Sequence, residues 1–155
     1  MTSFAPALPL IGGGQTRFQP VFVEDVAKAV AESVTRGTSG QTYELGGPKV
    51  YTFKELLKFL LGAIDKKRLL LPMPWFAANI MGFGGELMGA LPFVKPFLTR
   101  DQVTSLKSDN IVGEDATGFE AFNIKPKTVE TIVPAYLEKY RKYGEFYEKR
   151  EILED

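Results

Sequence analysis

Few residues in this sequence are equipped for chemistry. It contains no histidine and no cysteine. That removes serine–histidine triads, histidine bases and thiol nucleophiles, together with nearly every zinc or iron site. It also removes disulfides. What remains are carboxylates, amides, basic side chains and glycine turns. Glu86 stands alone in the apolar stretch WFAANIMGFGGELMGAL, residues 75–91. Buried there, its carboxyl would hold a proton towards neutral pH and could donate it. An exposed rim position, with the group ionised, is the expectation, and no second acid is placed beside it for paired-carboxylate work. Gly12-Gly13-Gly14 could offer amides to a phosphate. The triplet precedes a strand and opens no helix, so a turn is expected. Gln19 can hydrogen-bond a ligand or the neighbouring backbone. No residue is assigned a catalytic, cofactor-binding or metal-binding role.

The elements that would position these groups follow from pattern. Residues 1–17 read as loop or extended chain, 18–143 as the folded portion and 144–155 as a charged tail expected to fray. Val21–Val23 is expected to end a buried strand. Glu24 or Asp25 then caps a helix whose Val26, Ala27, Ala29, Val30, Ala31 and Val34 suggest cover on more than one side. GQTYELGG, Gly40 to Gly47, reads as a second strand. Thr52 and Glu55 form a capping box, with Tyr51 and Leu56 as its staple. RLLLPMP reads as a third strand or an extended passage. In 75–91 one row holds Phe76, Ile80, Phe83, Leu87 and Leu91, and a small-residue stripe holds Gly82, Gly85 and Gly89. The stripe predicts a close helix–helix contact, the alternative being a groove for a ligand or lipid. Thr99 and Gln102 form a second box, stapled by Leu98 and Val103, and Asp109-Asn110 marks a turn. A last helix begins near Lys127 and is kinked at Pro134. The fold class is α/β, mixed and helix-rich, with two or three short strands and about five helices. Strands so few would need neighbours, because parallel sheets are normally covered on both faces.

Totals set the remaining bounds. Nineteen basic and nineteen acidic residues leave no net charge. With no basic stripe in the sequence, nucleic acid is not an expected partner. The 75–91 stretch holds four glycines and an acid in seventeen residues, short of the roughly 20 apolar residues a membrane span needs.

Four stretches together carry a family resemblance: LPLIGGGQTRFQPVFVEDVAKAV, GQTYELGGPKVYTFKELLKFL, PFLTRDQVTSLKSDNIV and KPKTVETIVPAYLEKYR. They resemble the C-terminal half of the extended and atypical short-chain dehydrogenase/reductases, the NAD-dependent epimerase/dehydratase superfamily. The similarity is nearest to bacterial relatives of the nucleotide-binding accessory subunit of complex I, NADH:ubiquinone oxidoreductase. The resemblance implies a Rossmann-type parent with NAD or NADP in an N-terminal half that is missing here. It implies a glycine fingerprint, GxxGxxG, and often a YxxxK pair. Neither occurs: Gly82, Gly85 and Gly89 miss the spacing, and none of the six tyrosines has a lysine four residues on. This chain is therefore expected to bind no cofactor and to be inactive alone, as the substrate-side or interface portion of the parent. The resemblance implies a substrate-phosphate role for Arg17, with Gln19 beside it, and a structural role for Asp25 at a helix start. Expected partners are the missing Rossmann half, a second copy of the chain, and complex I or a membrane surface. The expected location is the cytoplasm, or the periphery of a bacterial inner membrane. Two other readings are a scaffold domain of a respiratory-chain protein and an independent ligand-binding module using Trp75, Phe76 and Phe83.

Overall fold

The computed structural model describes residues 7–89 and 98–141. The expectations for residues 1–6, for Leu91 and for the tail at 144–155 lie outside the described residues. In chain order the elements are β1 (Ala7–Ile11), β2 (Arg17–Phe18), α1 (Val23–Arg36), β3 (Tyr51–Thr52), α2 (Phe53–Ala63), β4 (Leu69–Met73), α3 (Trp75–Gly89), α4 (Arg100–Ser105) and α5 (Val129–Leu137). Short 3₁₀ turns occupy Gly12–Gly14, Phe119–Phe122 and Glu138–Tyr140. The mixed, helix-rich α/β class and the five helices are as expected.

Strand pairing is minimal. β1 and β4 pair in parallel, with Leu10 opposite Pro72 and Pro9 opposite Leu71. A proline in each strand, Pro9 and Pro72, removes one ladder donor. β2 and β3 pair antiparallel over two residues each, and Phe18 makes an isolated bridge to Asn110. β1 thus lies within the segment expected to be loop or extended chain. Its apolar LPLI finds a matching apolar run in β4.

Two strand expectations are corrected. Val21 to Val23 forms no strand end: Val21 and Val23 are exposed, and Val23 already belongs to α1. GQTYELGG is not a strand either. Its backbone bonds go to irregular chain, with Glu44 N–H donating to Thr117 O at 3.0 Å and Gly47 N–H to Gln19 O at 3.4 Å. Extended residues whose partners are loops make no ladder, so the glycine-bounded pattern misled.

The helix starts divide in the same way. The expected boxes form at α2 and α4, where the Thr52 and Thr99 hydroxyls accept from the N–H groups of Glu55 and Gln102. At α1 the capping residue is Phe22, which has no side-chain acceptor. Asp25 serves elsewhere. It is 2% exposed, and its carboxylate accepts from Lys127 N–H at 2.7 Å with Lys28 Nζ at 3.7 Å. That bond joins the start of α1 to the approach to α5.

Two small cores result. Ile11, Ala78, Leu98 and Val103 form one, with Trp75 and Met81 packed on it. Ala29, Phe119 and Phe122 form the other, against Val26, Tyr43 and Ile124. Each fully buried aliphatic or aromatic side chain stabilises by about 1.5–3 kcal/mol. Between α3 and α4 the glycine stripe acts as expected at Gly82, where a Cβ would lie 3.0 Å from Arg100 N. Ala78 and Gly82 turn inward, so Phe76, Ile80, Phe83 and Leu87 face outward, exposed by 57% or more. α1 is covered on one side only: Val23, Val30 and Val34 are exposed by at least 60%. The expected cover on a second side is absent among the described residues.

Asp25 gives a direct test. Asp25→Ala leaves the Lys127 amide without its acceptor. The expected loss is about 1.5–3 kcal/mol, the range for hydrogen bonds to charged groups, read as a lower urea midpoint with an unchanged slope.

Candidate functional site

The clefts beside β2 are built on Gln19. Its amide N–H donates to Asn110 O at 3.0 Å and its carbonyl accepts from Gly47 N–H. Its side-chain Nε2 donates to Gly47 O at 2.8 Å, and Oε1 accepts from Val112 N–H at 3.0 Å. One residue thereby clasps the 46–47 and 110–112 segments to the end of β2. The close approach requires glycine: a Cβ on Gly47 would lie 1.8 Å from Pro20 O, and one on Gly46 2.6 Å from Gln19 Cδ. Of its two expected kinds of partner, the side chain of Gln19 meets backbone.

Arg17 lies on β2, two residues before Gln19, but its side chain is engaged elsewhere. The guanidinium meets Asp109 Oδ2 through Nε and Nη2, each at 2.8 Å, while Arg17 N–H donates to Oδ1 at 2.8 Å. The backbone bond first, then the guanidinium, hold the Asp109 carboxyl below its usual range. Arg17 does not line the clefts that Gln19 lines.

The larger cleft, about 420 Å³, is lined by Gln19, Glu44, Gly46, Val112, Glu120 and Lys125 among others. Both carboxylates in it serve loop amides. Glu44 Oε2 accepts from Gly113 N–H at 2.8 Å, and Glu120 Oε1 accepts from Gly118 N–H. Backbone bonds from Gly118 and from Glu120 itself hold the Glu120 carboxyl below its ordinary range. A carboxylate held ionised in this way is a poor general acid near neutral pH. Glu86 behaves likewise. It is partly exposed, and the Arg100 side chain, then the Arg100 amide, hold its carboxyl down, with Arg100 Nε at 2.8 Å. The proton-holding alternative for Glu86 is excluded. The Arg100 side chain, more than half exposed, pairs with Glu86 and sits over Phe83, 5.3 Å from the ring centre.

No group of three or more acidic residues able to hold a metal occurs among the described residues. Gly12 to Gly14 form a turn, as expected. All three have φ between +59° and +71°, and a Cβ on Gly12 would fall 2.1 Å from the Trp75 indole. The triplet therefore lets the chain close over Trp75. No helix among the described residues is long and apolar enough to cross a membrane.

A polar cluster that the sequence pattern did not mark joins β3 to α5. Tyr51, 5% exposed, donates its hydroxyl to Glu130, with Oε2 at 2.7 Å and Oε1 at 2.9 Å. Lys49 Nζ lies 3.4 Å from the same carboxylate and 4.7 Å from the Tyr51 ring centre. Burial first, then the Glu130 carboxylate, raise the Tyr51 phenol from its ordinary 10.0 to about 12. The Tyr51 bond holds Glu130 down. The signs differ. Tyr51 stabilises the fold fully below pH 10, and that contribution is lost as pH rises from about 10 to about 12. The Glu130 contribution is present above the ordinary carboxylate range and is lost as pH falls through its lowered value. Tyr51→Phe should flatten the alkaline limb of a urea-midpoint titration relative to the parent chain. Equal alkaline slopes would exclude this coupling.

Comparison with known proteins gives the homologues of this chain. No protein-family profile matches the chain. It is 36% identical over 143 residues to the Arabidopsis thaliana protein "NADH dehydrogenase [ubiquinone] 1 alpha subcomplex subunit 9, mitochondrial", covering 88% of this chain and 36% of that relative. The Rattus norvegicus protein of the same name is 30% identical over 139 residues, with the same coverage. The Neurospora crassa "NADH-ubiquinone oxidoreductase 40 kDa subunit, mitochondrial" is 28% identical over 130 residues, covering 83% of this chain and 34% of the relative. The chain thus spans about a third of the length of these relatives. Among solved structures, that of gox2253 superimposes with a TM-score of 0.53 at 18% identity, covering 88% of this chain and 41% of that one, a likeness of fold alone. Over that third of their length, the homologues of this chain are the subunit 9 and 40 kDa proteins of NADH:ubiquinone oxidoreductase, members of the NAD-dependent epimerase/dehydratase-like superfamily.

Proposed function

We propose that the chain is the C-terminal, substrate-side and interface portion of an accessory subunit of NADH:ubiquinone oxidoreductase, and that it turns over no nicotinamide by itself. The observation that carries this reading is the 36% identity to the Arabidopsis subunit across 88% of the chain. The parent's NAD or NADP would sit in an N-terminal Rossmann half. Two features support such a missing partner. Among the described residues the valine row of α1 is uncovered and the β1–β4 sheet is a lone parallel pair, an arrangement normally buried between layers. Uncovered edges and apolar rows also favour self-association of the chain on its own.

The site chemistry agrees with a non-catalytic role. Sequence supplies neither the glycine fingerprint nor a YxxxK pair. Arg17 and Gln19 act here as fasteners, through Asp109 and through backbone amides. A second reading, a scaffold seated at a membrane periphery, is favoured by the outward row of Phe76, Ile80, Phe83 and Leu87.

Two measurements test the proposal. Titrating NADH and NADPH into the chain, followed by fluorescence of Trp75, the sole tryptophan, and by calorimetry, should give no binding and no turnover. Stoichiometric binding would place a nucleotide site in this portion and overturn the inactive reading. In mildly solubilised membranes of its host, the tagged parent protein should co-migrate with NADH:ubiquinone oxidoreductase on native gels. Migration wholly apart from that complex would overturn the accessory-subunit reading.

A further inference from the structure

We infer that α2 and the turn after it form a binding site for a phosphate-bearing anion. Lys54 and Lys58 lie one turn apart on α2, and Gly62 continues the same row. The helix then stops in a tight turn. Asp65 takes φ +50°, Asp65 N–H donates to Gly62 O at 3.1 Å, and Lys66 N–H donates to Leu61 O at 3.0 Å. The turn returns Lys66, Lys67 and Arg68 to the side of the Lys54–Lys58 row. Together these five basic residues line a cleft of about 540 Å³, and no carboxylate lines it. The chain as a whole is neutral, so the positive charge here is a local concentration.

Neither of two ordinary uses accounts for the cluster. Basic residues often gather at a helix C-terminus to serve its last carbonyls. Here those carbonyls already have donors. Leu60 O accepts from Ile64 N–H at 3.2 Å, Leu61 O and Gly62 O accept from the turn, and Ala63 O accepts from Arg141 Nε at 3.0 Å. Nor are the lysines a lattice of ion pairs. Among the described residues, Lys54, Lys58, Lys66 and Lys67 have no carboxylate within 4.0 Å. Glu55, in the turn before Lys58, has its carboxylate committed to the Thr52 amide and hydroxyl at 2.7 and 2.9 Å. Like charges one helical turn apart are mildly destabilising, so the row weakens α2 until an anion neutralises it. A phosphate suits the site because its several oxygens can accept from several ammonium groups at once. Two sources share that chemistry, a soluble phosphate ester and the headgroup of an anionic lipid. The inference is independent of the accessory-subunit reading.

The test uses the full chain with three variants. Lys58→Gln/Lys67→Gln removes two cations from the cleft. Gly62→Glu places an acid in it, where a Cβ meets nothing within 4 Å and where glutamate favours helix over glycine. Lys28→Gln removes an exposed lysine on α1 as control. Pyrophosphate should bind the parent chain and Lys28→Gln alike by calorimetry at low salt, and at least about tenfold more weakly to the double variant and to Gly62→Glu. A second arm sediments the four proteins with vesicles of phosphatidylcholine, with and without phosphatidylglycerol. Binding of pyrophosphate alone supports the site with a soluble ester as its source. Binding to the phosphatidylglycerol vesicles alone, lost in the same two variants, supports it with a lipid headgroup. No binding in either arm by the folded parent, or equal binding by all four proteins, would overturn the proposal. So would an equal loss in Lys28→Gln. Far-ultraviolet circular dichroism and the urea midpoint of Gly62→Glu show that its loss is not unfolding.

Discussion

Backbone amides brought close to irregular chain must be satisfied without a ladder, and in this fold side chains do much of that. Gln19 uses its amide, its carbonyl and both ends of its side chain to hold the 46–47 and 110–112 segments against β2. Asp25 holds the Lys127 amide, Asp109 the Arg17 amide and Glu44 the Gly113 amide. Buried or half-buried N–H groups cannot be left unpaired without cost. With two sheets of two strands each among the described residues, these polar side chains stand in for missing strands. The glycines at 46 and 47 follow from the same constraint, because a side chain there would hold the clasp open.

This use of carboxylates bears on function. An acid that accepts from a backbone N–H is stabilised in its ionised form. Asp109 and Glu120 are held down first by such bonds, and Glu86 by the Arg100 side chain and then its amide. These three acids serve as structural acceptors. The apolar rows on α1 and α3 stay uncovered among the described residues.

Local chemistry was legible in the sequence, and long-range pairing was not. The boxes at Thr52–Glu55 and Thr99–Gln102 were readable because both partners lie within one helical turn. The glycine stripe announced the α3–α4 contact at Gly82. Which face of α3 would be covered was not readable, since the apolar row and the small-residue stripe are equally regular. GQTYELGG has the composition of a strand but no strand beside it. Asp25 read as a cap because its partner, Lys127, lies 102 residues away. The Lys54–Arg68 cleft escaped for a related reason. Its charges occur as an i,i+4 pair and a separate short run, and only the turn at Asp65 brings them together.

The distances along the chain spanned by these bonds bear on how the molecule is made. β1 waits for β4 some sixty residues later, Gln19 for Val112 at a separation of 93, and Asp25 for Lys127. Contacts so remote must close large loops before they return any stability, which slows folding. During synthesis α1 and α2 would emerge before the later segments that pack on them. Their apolar sides would then stay open to chaperones, or to a neighbouring polypeptide, until α5 leaves the ribosome.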